Sequence, residues 1–382
     1  MDEGKFVAIV SLDLSKAFDA INHEMLLKKL IKLGLSETAL CWIKSYLSKR
    51  VQCTRFSNFT SKDEEVKAGV PQGSILGPLL FICFSNDIYT TLEEQCKALS
   101  YADDSQLIIA AKNQKELILK IENIIKVAHD WYTANCMKAN QGKTEILVIN
   151  RGNLKTENIK IKVKEKGKRK ILTPSKYIKV LGVLIDENLS WKKQVLKVKK
   201  TATNTIRKLH RINHLLPMDI KIQLYNALVV PHFDYADVIW GGCSVEMCRK
   251  LQITQNFAVK SITGAKKYDH ASASYEKLKF LDLQQRRNIH EVVFTHKSLL
   301  HHHPSDICKM YLELCPTSNT RSSHSATLNY PPHSTTKYEK SPLYRSVESW
   351  NSIPNNIATN TTTKVFKREF QKNLIQKTFT MN

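Results

Sequence analysis

No stretch of this 382-residue chain approaches the length a helix needs to cross a bilayer. The densest apolar run is Pro78 to Phe84, and the first residues are acidic, not a basic stretch followed by an apolar one. These absences lead us to expect an intracellular protein, nuclear or cytoplasmic, with no membrane partner. Organised cysteine is missing as well. The nine cysteines fall at 41, 53, 83, 96, 136, 243, 248, 308 and 315, an odd number with no Cys-x-x-Cys pair and no zinc-knuckle spacing. That argues against a disulfide framework or structural zinc and for buried free thiols in a reducing compartment. Cys243 and Cys248 are the nearest pair, but nothing supplies two further ligands in register. His301-His-His303 before Pro304 could bind metal, but a solvated loop start is the favoured reading.

Acid is scarce in one region only. Residues 151–211 carry 19 basic and 4 acidic side chains, whereas residues 1–150 carry 18 of each and the remainder 21 and 13. A local excess of that size is a footprint for a polyanion, nucleic acid above all. The competing reading is a solubilising face, since Ile159-Lys-Ile-Lys-Val-Lys164 alternates as a lysine-coated edge strand does. The excess continues through Lys192 to Arg211, where a helix is expected, which favours nucleic acid. With 42% hydrophobic residues the chain is long enough for a substantial core and two or three domains.

The most informative stretch is Ser100 to Ile109, Ser-Tyr-Ala-Asp-Asp-Ser-Gln-Leu-Ile-Ile. Its apolar flanks read as short buried strands, which puts Asp103 and Asp104 side by side on the tight turn of a hairpin. Adjacent carboxylates repel. They persist where a cation holds them, and hard oxygen ligands suit Mg²⁺. Asp also simply favours turns, so the pair alone is weak evidence. Its company strengthens it. Asp13 ends the apolar strand Phe6 to Leu12 and opens a helix expected from near Ser15, placing a third carboxylate at a sheet rim. Between these acids lies Ala68-Gly-Val-Pro-Gln-Gly-Ser-Ile-Leu-Gly-Pro78, whose Gly69, Gly73 and Gly77 permit close backbone approach to a ligand, with Gln72 at its centre.

At these residues the sequence resembles the reverse transcriptases of non-LTR (LINE-type) retrotransposons. Asp13-Leu-Ser-Lys-Ala-Phe-Asp-Ala-Ile-Asn-His23 is similar to the family's motif A, Gly69 to Pro78 to motif B, and Tyr101-Ala-Asp-Asp104 to motif C. Asn140-Gln-Gly-Lys-Thr-Glu145 resembles motif D, and Tyr177 to Asp186 resembles the hairpin that grips the primer end. Order and spacing both fit.

The coarse elements give strand, helix, hairpin, helix, strand once insertions are removed. A helix runs to about Leu33 and stops at Gly34; a second, capped by Ser36, runs to about Ser48. Polar strands follow near Gln52 to Phe56 and Glu64 to Ala68, then a helix to about Leu92. After the acidic hairpin a long helix spans about Gln114 to Lys138, its start marked by Asn113 and Glu116, and Thr144 to Ile149 closes as a strand. This is an approximate split βαβ arrangement. The expected class is α+β, and by resemblance a polymerase palm with an RRM-like sheet followed by a mainly helical thumb. The expected domains are a palm over 1–150, a basic strand-rich connector with the primer-grip hairpin over 151–190, and a thumb over 191–315. A flexible linker over 316–341 and a helical C-terminal segment over 342–382 complete the chain. Tyr225, Phe233, Tyr235 and Trp240 could stack on bases, but their helical spacing favours core packing.

The resemblance implies RNA-templated DNA synthesis on a DNA primer from dNTPs, with two Mg²⁺ ions, or Mn²⁺ in their place, held by Asp13, Asp103 and Asp104. By the same resemblance Phe18 stacks under the incoming sugar, Gln72 and Gly73 line the nucleotide site, and Lys143 protonates the leaving group. Leu181, Gly182 and Val183 form the primer grip. Phe18 as a core aromatic and Lys143 as a surface charge stay open as alternatives. Asp19 is expected to cap or pair structurally and not to bind metal. Asp13 stands twelve residues from the first residue, where family members have a fingers region upstream and usually an endonuclease before it. The expectation is therefore an N-terminally truncated polymerase; the alternative is a catalytically inactive remnant that only binds nucleic acid.

The charge map makes a prediction. Binding to an RNA–DNA duplex should weaken by roughly 10³-fold between about 50 and 200 mM salt if about six phosphates are contacted. Replacing the lysines of 192–200 with Gln should flatten the slope measured by fluorescence anisotropy; an unchanged slope returns the stretch to a solubilising role.

Overall fold

The structure is a computed structural model that describes residues 2–14, 16–137, 144–149, 159–165, 168–302, 304–315, 327–358 and 362–379. Lys143 and most of the motif-D stretch lie outside the described residues. The chain divides into two compact units, one comprising Glu3–Val180 with Asp186–Leu189, the other Leu181–Ile185 with Ser190–Asn382. No described helix is long and apolar enough to cross a membrane.

The first unit begins with β1 (Phe6–Leu12), α1 (His23–Lys32) and α2 (Glu37–Leu47). Asn22 and Ser36 cap the two helices by accepting from the N–H of Met25 and Ala39. The helix expected from near Ser15 instead starts at His23, and residues 16–20 form turns. The reason is visible in the backbone: the carbonyls of Phe18 and Ile21 accept from Val70 and Gly69 at 2.8 Å each, so they are not available to an intrahelical ladder. The polar segment after α2 forms short strands β2 (Val51–Gln52), β3 (Arg55–Phe56), β4 (Phe59–Thr60) and β5 (Glu64–Glu65). They are nested, β2 pairing with β5 and β3 with β4.

Next come α3 (Leu76–Leu92), β6 (Lys97–Tyr101), β7 (Asp104–Ala111), α4 (Gln114–Ala134) and β8 (Glu145–Val148). The four longer strands form one sheet in the order β6-β7-β1-β8, antiparallel throughout. Each βαβ unit thus has a strand of the other inserted between its own two, the split βαβ arrangement. Alternation explains the single covered face: Ala8, Val10 and Leu12 are buried with Leu107, Ile109 and Ala111. Against them pack Leu117, Ile121, Ile124, Ile125 and Ala128 of α4 and Leu80, Phe81, Phe84 and Ile88 of α3. The last helix stops at Ala134, short of the expected Lys138. Cys136 adopts φ 57°, Met137 N–H donates to Tyr132 O at 2.8 Å, and the Met137 side chain is buried, which closes the helix end.

The alternating stretch after residue 158 is a strand, β9 (Ile161–Glu165), paired with β10 (Lys168–Leu172). Ile159, Ile161 and Val163 enter the first core while Lys160 and Lys162 face out. The chain then passes to the second unit through a hairpin of β11 (Tyr177–Val180) and β12 (Val183–Asp186).

The second unit is helical: α5 (Lys192–Arg211), α6 (Met218–Leu228), α7 (Val230–Asp234), α8 (Asp237–Trp240), α9 (Val245–Thr263), α10 (Ser272–Leu278), α11 (Leu283–His301) and α12 (Ser305–Leu312). It ends with α13 (Thr336–Glu339), α14 (Pro342–Asn351), α15 (Asn355–Ala358) and α16 (Thr363–Phe379). One core joins Val195, Ala202, Ile206, Tyr225, Phe233, Trp240 and Leu251. A second joins Val292, Tyr311, Leu328, Val347, Trp350, Phe366 and Phe370, so α14 and α16 pack on α11. Of the stretch read as a linker, residues 327–341 are described; there Leu328 is buried and Asn351 bonds both its N–H and its carbonyl.

Ile121 is fully buried among α4, the sheet and the neighbouring helices. Ile121→Ala should therefore cost about 2–5 kcal/mol by urea unfolding of the first unit, through lost transfer energy and the cavity left behind.

Candidate active site

The two strand ends that carry the acids meet by register. Leu12 pairs with Ser105 across β1 and β7; one further step along that antiparallel register sets Asp13 across from Asp104. Tyr101 pairs with Asp104, leaving Ala102 and Asp103 as a two-residue turn with Ala102 at φ 53°. Asp103 thus sits on the turn and Asp104 opens β7. Among the described residues, the carboxylate and imidazole atoms lying within 4.8 Å of one another as a group of three are those of Asp234, Asp237 and His290, in the second unit. Asp13, Asp103 and Asp104 are not such a group.

The glycine-punctuated loop is stitched to the turn that follows Asp13. Gly69 N–H donates to Ile21 O, Val70 N–H donates to Phe18 O, the His23 ring Nε2 bonds Gly69 O at 2.7 Å, and Gln72 Nε2 donates to Asp19 Oδ1 at 2.8 Å. Gly69 has φ +88°, and a Cβ there would stand 2.7 Å from Asp19 Cα. Glycine is the residue that tolerates both conditions. Gly73 is also at positive φ, +82°, in open space. Ser74 Oγ donates to Pro71 O and accepts from Gly77 N–H, ordering the entry into α3. Phe18 is half-buried, its ring 4.8 Å from that of Phe81. It is thus part of the core edge, and Asp19 is a structural partner of Gln72.

Beside this loop opens a cleft of about 670 Å³ lined by Lys16, Asp19, Arg50, Glu65, Lys67 and Gln72 among others. Three of its side chains are cationic. Lys16, Arg50 and Lys67 are scattered over fifty residues, with no local pattern to single them out; only the fold of residues 50–67 against the loop gathers them.

Leu181 and Gly182 form the tip of the β11–β12 hairpin, at φ 44° and +87°. Within the second unit, Tyr235 Oη donates to Leu181 O at 2.6 Å and Lys197 Nζ donates to Gly182 O at 2.7 Å. These two bonds hold a branched residue in a conformation it rarely adopts. Val183 is buried. Of the four aromatics, Tyr225, Phe233 and Trp240 lie in the core and Tyr235 is 56% exposed.

An antiparallel split βαβ sheet with an acidic hairpin turn, and a glycine-punctuated loop stitched to the segment after β1, is the mixed α/β architecture this site belongs to. Residues 2–185 match the family described as reverse transcriptase (RNA-dependent DNA polymerase). The chain is 25% identical over 313 residues to a probable RNA-directed DNA polymerase from transposon BS of Drosophila melanogaster, covering 79% of this chain and 34% of that protein. It is 24% identical over 318 residues to the RNA-directed DNA polymerase from mobile element jockey of Drosophila funebris, covering 81% and 34%. The chain thus spans about a third of the length of these curated relatives. A solved telomerase from Candida tropicalis, in complex with a fragment of telomeric RNA, aligns over 99% of this chain and 49% of its own, with TM-score 0.37 and 10% identity.

Because Gly69 is both left-handed and sterically closed, Gly69→Ala should destabilise the first unit by about 1–3 kcal/mol. The same substitution should loosen the Gln72–Asp19 contact, read as faster amide exchange over residues 16–23 and 68–73.

Proposed function

We propose that the chain is the polymerising part of a retrotransposon reverse transcriptase, adding deoxynucleotides to a DNA primer on an RNA template. The observation that supports this reading is the register of β1 and β7, whose last pair, Leu12 with Ser105, is followed by Asp13 on one strand and preceded by Asp104 on the other, in a stretch that matches the reverse transcriptase family. The first unit corresponds to the palm and the helical part of the second to the thumb.

Asp13, Asp103 and Asp104 supply the hard oxygens that two Mg²⁺ or Mn²⁺ ions take, and the donor set fits those ions. When bound, such ions offer Lewis-acid stabilisation of charge at the transferred phosphoryl group. The chain's own residues do the positioning. Phe18, backed by Phe81, gives a flat apolar platform for the incoming sugar. Gln72, fixed by Asp19, and Gly73, open at positive φ, line the base and backbone side of the nucleotide. Lys16, Arg50 and Lys67 face the same cleft and would neutralise its phosphates, since charge-assisted bonds to phosphate are the strong ones. Lys143 is the proton donor to the leaving pyrophosphate. Leu181, Gly182 and Val183 steady the primer end, Tyr235 and Lys197 holding the hairpin tip. The exposed lysines of α5 face the duplex.

The test is primer extension on an RNA template with Mg²⁺, using the chain alone and joined to the upstream segment of a jockey-type relative. Asp103→Ala should abolish extension while the fold persists, because removing one of several clustered carboxylates relieves repulsion. Extension retained in Asp103→Ala sinks the site assignment. Tight template binding with no extension in either form favours the non-catalytic, nucleic-acid-binding reading.

A further inference from the structure

Cys243 and Cys248 flank the start of α9. Ser244 is its N-cap, accepting from Met247 N–H, so the two cysteines occupy the positions immediately before the cap and four residues into the helix. Apolar residues at those positions commonly pack together. Here the pair is two thiols with Sγ atoms 3.4 Å apart. A disulfide needs about 2.05 Å, so an approach of about 1.4 Å would close the bond. Cys243 is buried and Cys248 half-buried.

The second observation is Arg287 on α11. It is 3% exposed, and among the described residues it makes no ion pair with a carboxylate. Its Nη1 instead meets Gly241 O at 3.4 Å, Gln284 Oε1 at 3.3 Å and Cys248 Sγ at 3.6 Å, and the guanidinium lies 5.4 Å from the Trp240 ring centre. Its Nε is buried with no hydrogen-bond partner. A buried cation is costly unless opposite charge lies near it; Asp237 and Glu291 each interact with Arg287 electrostatically, neither of them ion-paired to it. Cys248 is the ionisable group that touches it.

We infer that Cys248 and Cys243 form a redox-active dithiol site, with Cys248 as the attacking thiolate paired to Arg287 and Cys243 as the resolving thiol. The charged and titratable groups facing Cys248 agree in sign. The Cys243 thiol donates to it, Arg287 faces it from α11 and Arg345 from α14, and together they hold it below the ordinary thiol range against the opposing effect of burial. Cys243 is pushed up, by its bond to Cys248 and then by burial. Arg345 is itself paired with Glu291, so Arg287 is left as the cation nearest the thiolate.

The oxidant is hydrogen peroxide. The Cys248 thiolate attacks one peroxide oxygen, the S–O bond forms as the O–O bond breaks, and the departing hydroxide takes a proton from solvent and leaves as water. Cys243 sulfur then attacks Cys248 Sγ; the S–S bond forms, the S–O bond breaks, and the sulfenic hydroxyl leaves as a second water with the Cys243 proton. Two electrons pass from the two sulfurs to the peroxide.

The test uses the full reduced chain, with exposed Cys41, Cys53 and Cys136 as internal references. Alkylation by iodoacetamide, mapped by peptide mass, should proceed at Cys248 with a rate changing less than about twofold between about pH 6.5 and 8.5. Rates at the reference cysteines should rise by nearly tenfold per pH unit over the acid half of that range. Hydrogen peroxide should then yield a peptide bridging 243 and 248, and Cys243→Ser should leave a sulfenic acid on Cys248 that dimedone traps. The proposal is overturned if Cys248 reactivity tracks the exposed cysteines, or if peroxide oxidises those cysteines with no 243–248 bridge formed.

Discussion

The candidate active site depends on the stitching of two loops by their backbones. Residues 16–23 after β1 and residues 69–72 before α3 share Gly69 N–H with Ile21 O, Val70 N–H with Phe18 O, and Gly69 O with the His23 ring. Buried backbone groups must be paired, and here each loop satisfies the other instead of continuing its own helix. The price is a left-handed Gly69 pressed against Asp19. The result is that Asp13, Phe18, Gln72 and the basic cleft hang on one framework, and a shift of either loop moves all of them.

The second unit is organised by a different constraint, the burial of charge. Asp237 bonds the His290 ring at 2.7 Å, Arg286 Nε donates to Asp234 at 3.2 Å, and Glu291 is shared between Arg345 and Ser349. Burial pushes Asp237 and Glu291 up from the usual carboxylate range, against the pull of their partners. Such networks add little net stability but are expensive to break, so they specify one packing of α8, α11 and α14. Arg287 stands within the same helix, in the field of Asp237 and Glu291, and donates to the Cys248 sulfur. The Asp234, Asp237 and His290 group, although close enough to ligate, already has partners: Arg286 pairs with Asp234, and Asp237 bonds the His290 ring.

Sequence and structure agree best where periodicity is strong and local. The caps at Asn113 and Ser36, the stop at Gly34, the stripe of α4 and the two-period strand from Ile159 are all present, because each is decided within one or two turns of chain. The strands expected over 52–56 and 64–68 shrink to nested two-residue pairs. The early helix gave way because long-range hydrogen bonds claimed its carbonyls. No local pattern announces such competition.

The order of acids and glycines, the charge excess of residues 151–211 and the class of the chain lay in the sequence itself, because spacing along the chain and composition survive without coordinates. Tertiary structure alone decided which groups meet. The register of β1 and β7 set Leu12, the neighbour of Asp13, opposite Ser105, the neighbour of Asp104, and the path of residues 50–67 gathered Lys16, Arg50 and Lys67 into one cleft. Tyr235, spaced like a core aromatic, came out to hold Leu181, and Arg287 went inside to face Cys248. These contacts join residues tens of positions apart, and their energy comes from burial and hydrogen bonding that exist only once the chain has closed on itself.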